Sequence, residues 1–146
     1  MFLTEIPSYI NCIKVNNADT KNKTFSYVFT NTQDVKKNSI YAIRASVKLS
    51  RKYINNAIKK GAVAIITDKL IRGINTTQYV VKDIDLGISI LLKKLYPFKP
   101  HNSLAVTGTN GKTSVVWYVT QISVMSKVPT KCYGTLGHYI NLKKKN

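Results

Sequence analysis

Acidic residues are scarce in this sequence. Six Asp and Glu stand against 23 Lys and Arg in 146 residues, and none follows Asp85. The C-terminal part of the chain therefore has no carboxylate of its own to hold a metal or move a proton. Cysteine is almost as rare: Cys12 and Cys132 are far apart, with no CxxC spacing and no His cluster. That pattern argues against a disulfide framework or a zinc site and leaves two reduced structural thiols. Apolar runs stay short of the roughly 18 residues that suggest a membrane span. The opening MFLTEIPSYINCIK has no basic start, no long apolar region and no small-residue cleavage site, so a cytoplasmic chain is expected. His101 and His138 belong to no motif and read as surface or turn residues.

Hydrophobic residues make up 44% of the chain, enough for a real core in one ordinary domain or two small lobes. The formal charge of +17 is the electrostatic footprint of a nucleic-acid binder. The lysines are spread along the chain, however, and arginine is scarce. Lys, Asn, Ile and Tyr all have AT-rich codons, so genome composition accounts for much of the charge and nucleic-acid binding is the weaker reading. The one dense run, Leu142 to Lys145, reads as a frayed, solvated tail.

Periodicity gives an α/β order. Tyr27 to Gln33 and Ser39 to Ala45 read as two strands joined by a turn. In RKYINNAIKKG, the residues Tyr53, Ile54, Ala57 and Ile58 share one helix face, and Gly61 stands at the C-terminal cap position. The apolar run Ala62 to Ile66 reads as a buried parallel strand, Thr77 to Asp83 as another strand, and Asp85 to Phe98 as a helix stopped by Pro97 and Pro100. The Pro-containing YPFKPHNS divides a lobe of residues 1–97 from one of residues 101–146. In the second lobe Ser103 to Gly108 reads as a buried strand, Gly108 to Thr113 as a loop, the following residues as a helix, and VPTKCYGTLGHY as a final strand.

A strand that feeds a Gly-rich turn opening a helix is the setting in which GxxxxGK[ST] cradles phosphate. Gly108 and Gly111 let the backbone turn and point its N–H groups at phosphate oxygens, with the positive helix end behind them. Lys112 would neutralise the β and γ phosphates, and Thr113 would supply a hydroxyl to Mg2+. The first glycine of the general pattern falls on Val106.

The longer string VTGTNGKTS resembles the TGTNGKTT loop of the Mur ligases, the ATP-dependent amide ligases of peptidoglycan synthesis. LYPFKPHNSLAVTGTNGKT, YGTLGHYIN, FTNTQDVKKNSIYAI and YINNAIKKGAVAIITD are each similar to segments of the MurE group, so the resemblance covers roughly residues 27 to 140. It implies a UDP-sugar-binding type of lobe over residues 1–97, followed by the first strand, loop, helix and strand of a P-loop parallel sheet, an incomplete central domain. It also implies an ATP site at Gly108, Thr109, Asn110, Gly111, Lys112, Thr113 and Ser114, with Thr113 on Mg2+. Asn31, Thr32 and Thr135 fall where UDP-sugar contacts are implied.

The departures weigh against part of this. Asn31, Thr32 and Gln33 replace the family's DSR, Asn38 replaces a glycine, and Leu49 to Tyr53 read LSRKY where the family has DGHDF. Losing a charged partner costs about 1.5–3 kcal/mol, so UDP-sugar recognition is weakened more than phosphate binding. The family's Mg2+-binding glutamate, modified lysine, adenine-holding segment and amino-acid-binding domain have no counterpart in these residues. The resemblance therefore implies a MurE-like portion that is not catalytic alone. The alternatives are one piece of a split ligase that works with a complementing fragment on a UDP-muramoyl peptide, or a basic nucleic-acid-binding module.

Overall fold

A computed structural model describes residues 1–16, 20–46 and 50–145. The chain divides into two compact units, Met1–Lys99 and Pro100–Asn146.

Unit 1 is built on a five-stranded sheet in the order β1-β5-β4-β3-β2, formed by β1 (Cys12–Asn16), β2 (Tyr27–Phe29), β3 (Ser39–Ala42), β4 (Ala62–Thr67) and β5 (Thr77–Val81). Strands β2 to β5 run parallel, and β1 closes one edge antiparallel to β5. The apolar runs of β3, β4 and β5 have the character of strands buried on both faces. On one face Ile40, Ala42, Ala64, Ile66, Tyr79 and Val81 pack with Ile84 and Leu91 of α3 (Ile84–Leu95) and Ile6 of the short α1 (Ile6–Tyr9). On the other face Tyr41, Ile43 and Ile65 pack with Ile54 and Ala57 of α2 (Ser50–Lys59). The helices start and stop where local chemistry dictates: the Asp83 carboxylate accepts from the Leu86 amide at 3.0 Å to cap α3, and Gly61 ends the α2 turn at φ +100°.

Buried polar groups in unit 1 are used to fix loops. Gln78 is fully buried, and its amide donates to the Ile71 carbonyl at 3.0 Å while accepting from the Ile71 N–H at 3.1 Å, which pins the β4–β5 connection. The Tyr79 hydroxyl donates to the Leu3 carbonyl at 2.7 Å and ties the N-terminal turn to the sheet. Burial pushes the Tyr79 phenol well above its usual range, with the neighbouring Cys12 adding to the shift.

Three expectations for the fold change in detail. The strands β2 and β3 are joined by a turn but run parallel, because residues 30–38 carry the chain back to the same end of the sheet. Residues 103–107 form no strand: a parallel strand needs a neighbour brought round by a crossover, and among the described residues none pairs with them. The C-terminal segment folds into local hairpins instead of a single strand of a parallel sheet. It forms an antiparallel sheet of β6 (Lys131–Gly134), β7 (Gly137–Ile140) and β8 (Lys143–Lys145), so the lysine run expected to fray is paired with β7. Asn141 and Leu142, at φ 47° and 64°, make the β7–β8 turn with the primed geometry that suits hairpin twist.

Unit 2 also holds α4 (Lys112–Met125). Trp117 meets Tyr139 edge to face at 5.0 Å, joining α4 to β7. The opposite side of α4 leaves Val115, Tyr118, Ile122 and Met125 exposed, spaced as one helical stripe. Among the described residues, every fully buried apolar side chain lies in unit 1. No helix among them is long and apolar enough to cross a membrane.

Two outcomes are expected. Hydrogen exchange should be slowest at the amides of β3, β4 and β5 and fast throughout unit 2, since protection follows buried contact; equal protection of the two units would contradict this. Tyr79→Phe should cost about 1–2 kcal/mol at neutral pH by leaving the Leu3 carbonyl unsatisfied. Because the folded phenol stays neutral past its usual pKa, the unfolded chain ionises first, and stability from Tyr79 declines as pH rises above about 10. Urea midpoints at pH 7.5 and 10.5 should therefore show the gap between wild type and variant narrowing.

Candidate functional site

The loop of residues 108–111 gets its shape from its two glycines. Gly108 lies at φ +143° and Gly111 at φ +75°. A Cβ at either would meet nothing closer than ordinary contact distance, so conformation, not crowding, is what calls for glycine. Gly111 caps α4, a helix of 14 residues whose first-turn amides have no acceptor within the helix. Lys112 and Thr113 occupy that first turn, and Thr109, Asn110 and Ser114 flank them, all exposed.

The loop's side chains are engaged close to it. Lys112 Nζ donates to the carbonyl oxygens of Gly108, in a short contact, and of Thr109 at 3.0 Å, so its charge lies across the loop. The Thr113 and Thr135 hydroxyls are 3.0 Å apart. A cavity of about 200 Å3 adjoins them, lined by Lys112, Thr113, Trp117, Thr135 and Tyr139 among others. Sites for whole drug-sized ligands run to about 300–1,000 Å3, so this cavity is smaller than such a site, and Val106, Val116 and Leu136 make its lining largely apolar. Among the described residues no group of three His, Cys, Asp or Glu side chains is placed to hold a metal, and Thr113 offers a single neutral oxygen.

In unit 1 the other sequence candidates are engaged locally. Asn31 Oδ1 accepts from the Gln33 N–H at 2.9 Å, and Thr32 is buried. Lys60 Nζ donates to the carbonyls of Thr32 at 2.9 Å and Gln33 at 3.1 Å. Asn38, standing where the resembling segments have glycine, has φ 60°, a left-handed conformation that Asn tolerates better than most residues. That substitution therefore keeps the backbone path. Of the LSRKY stretch, Leu49 lies outside the described residues.

Thr135, grouped by resemblance with Asn31 and Thr32, is found in unit 2 at the hydroxyl of Thr113. Sequence reasoning missed this pairing, the Lys112 contacts to its own loop, and the Lys60 clamp. Each depends on side-chain direction across a turn or over long separation, which residue spacing does not encode.

No family model matches the chain. Among curated proteins, the "UDP-N-acetylmuramoyl-L-alanyl-D-glutamate--2,6-diaminopimelate ligase" of Rickettsia typhi is 33% identical over 118 residues, 80% of this chain and 24% of the relative. The protein of the same name from Rickettsia bellii is 37% identical over 109 residues, 73% of this chain and 22% of the relative. The chain is homologous to the Mur ligases over about three quarters of its own length. It spans about a quarter of the length of these Mur ligases. Among solved structures, a ligase of that same name matches with a TM-score of 0.67 at 23% identity, over 96% of this chain and 28% of the other. MurF from Acinetobacter baumannii matches with a TM-score of 0.60 at 14% identity, over 86% and 27%. At these identities the structural matches speak for the fold.

Proposed function

We propose that these 146 residues are a MurE-like portion of peptidoglycan precursor synthesis that binds the phosphates of Mg-ATP and forms no amide bond alone. On this reading residues 1–97 are a UDP-sugar-binding type of domain and residues 101–146 part of an ATP-binding domain. The observation that carries the reading is the TGTNGKT loop, with Gly111 capping α4 and Lys112 and Thr113 in its first turn, in a chain of Mur ligase ancestry.

The residues fit the group. The first-turn amides and the α4 dipole favour an anion at the loop. Lys112 must leave the Gly108 and Thr109 carbonyls to face β and γ phosphates, and the Thr113 hydroxyl would hold Mg2+. When bound, Mg-ATP would supply an activated phosphoryl group. The family resemblance implies that a carboxylate would take up that group with release of ADP, and that an amine would then form the amide by displacing phosphate. No Asp or Glu after Asp85 can add a carboxylate to the metal, and nothing identified in these residues positions an amine. Recognition of a UDP-muramoyl peptide is the weaker part of the proposal, because Asn31 and Thr32 are turned to local hydrogen bonding and burial.

A second reading, one piece of a split ligase completed by another polypeptide, is favoured by two observations. Residues 103–107 lack a strand partner among the described residues, and the apolar stripe of α4 is uncovered. A coding sequence for the complementary part would support it.

Calorimetry should show weak Mg-ATP binding that falls roughly ten- to hundredfold in Lys112→Ala, the range for a charge-assisted contact. Equal binding by both proteins would place the interaction elsewhere on the basic surface, and steep salt dependence without nucleotide preference would favour the nucleic-acid reading. Incubated with Mg-ATP, a UDP-muramoyl dipeptide and a diamino acid, the chain should release no ADP-coupled tripeptide. ATP-dependent product that disappears in Lys112→Ala would show that the chain is a ligase in its own right.

A further inference from the structure

Thr135 lies in the two-residue turn between β6 and β7, flanked by the paired Gly134 and Gly137. Two-residue hairpin turns favour Gly, Asn or Asp at positions of positive φ. Neither Thr135 nor Leu136 has positive φ, so the turn conformation does not explain a threonine there. What the side chain does is reach the first turn of α4, where its hydroxyl stands 3.0 Å from that of Thr113. Both line the same cavity beside Lys112.

A hydroxyl has one proton and two acceptor lone pairs, and it rotates to suit its partners. A cation can be held only by the lone pairs, so the proton must point away from it and needs an acceptor. Within residues 100–146 no carboxylate exists to take that proton, and the group that meets Thr113 is the neutral oxygen of Thr135.

We propose that Thr135 is a positioning residue for the cation-holding oxygen of the loop: it accepts the Thr113 proton and so turns the Thr113 lone pairs toward the Mg2+ of a bound nucleotide. This rests on the Mg-ATP reading of the loop. It gives Thr135 a role within the phosphate site, distinct from a contact to a UDP-sugar.

The test compares wild type, Thr135→Val and Thr135→Ser by calorimetry with ATP, once with Mg2+ and once with EDTA. Valine keeps the β-branched shape and removes the acceptor, whereas serine keeps the acceptor. The expected result is that Mg2+ strengthens ATP binding to wild type, that Thr135→Val loses about five- to tenfold of that strengthening, the range for one hydrogen bond, and that Thr135→Ser retains it. Affinity in EDTA should be the same for all three. A Thr135→Val protein with the full Mg2+ effect would overturn the proposal. So would one weakened equally with and without Mg2+, which would mark Thr135 as merely structural, and circular dichroism of the variants would separate that from loss of folding. Absence of ATP binding by wild type under both conditions would instead overturn the reading of the loop itself, and the proposal with it.

Discussion

Strands buried on both faces can exist only if both faces are covered, and the architecture of unit 1 follows from that requirement. The side chains of β3, β4 and β5 divide between two cores, one completed by α1 and α3 and the other by α2. Parallel strands also need crossovers, so each connection must pass over a face or around an end. Those connections are then held by polar contacts: the buried Gln78 amide pins one, the half-buried Asp68 carboxylate accepts from the Ala45 amide at 2.7 Å, and the Asn38 N–H reaches the Gly61 carbonyl at 3.1 Å. Left unpaired, the fully buried Gln78 amide would cost about 1–3 kcal/mol, so this pairing constrains the β4–β5 loop.

Unit 2 obeys the same physics with different material. Its sheet is antiparallel and built from neighbours in sequence, because two-residue turns at residues 135–136 and 141–142 close hairpins at small entropic cost. The residues that carry the parallel-strand signal, Leu104 to Val106, pair with no strand among the described residues and stay exposed or half-buried. Apolar residues on both sides of α4 tell the same story: one side finds Tyr139, and the stripe from Val115 to Met125 stays exposed among the described residues. A helix that is apolar all round is the kind found deep in larger domains.

The sequence was most readable where a single period dominates. Ile54 and Ala57 on one face announced α2, the unbroken run from Ala62 announced β4, and Pro97 and Pro100 marked the end of α3, whose cap, Asp83, reads in the sequence as the end of a strand. It was least readable where pairing depends on distant residues. Cys12–Asn16 is a short, half-exposed edge strand with lysine in the middle, so no alternation distinguishes it from a loop. The direction of β2 relative to β3 is set by the sheet as a whole, and a nine-residue connection permits either sense. At the loop, residue types and spacing singled out Gly108, Gly111, Lys112 and Thr113, and the structure brings these four together at the start of α4. The partner of Thr113 arrives from a hairpin 22 residues away, and nothing local foretells it.

Lys112 gives the loop a counter-charge of its own. Its ammonium sits where it satisfies two backbone carbonyls, so the loop is closed on itself. On the proposed phosphate reading, anion entry would be an exchange, with two carbonyl contacts surrendered as phosphate contacts form. The observed affinity would then equal the intrinsic affinity scaled by the fraction of molecules whose lysine has swung free. A small, weakly charged anion would gain too little to open the loop, while a polyphosphate would gain more, so the lysine contact would act as a filter on charge density.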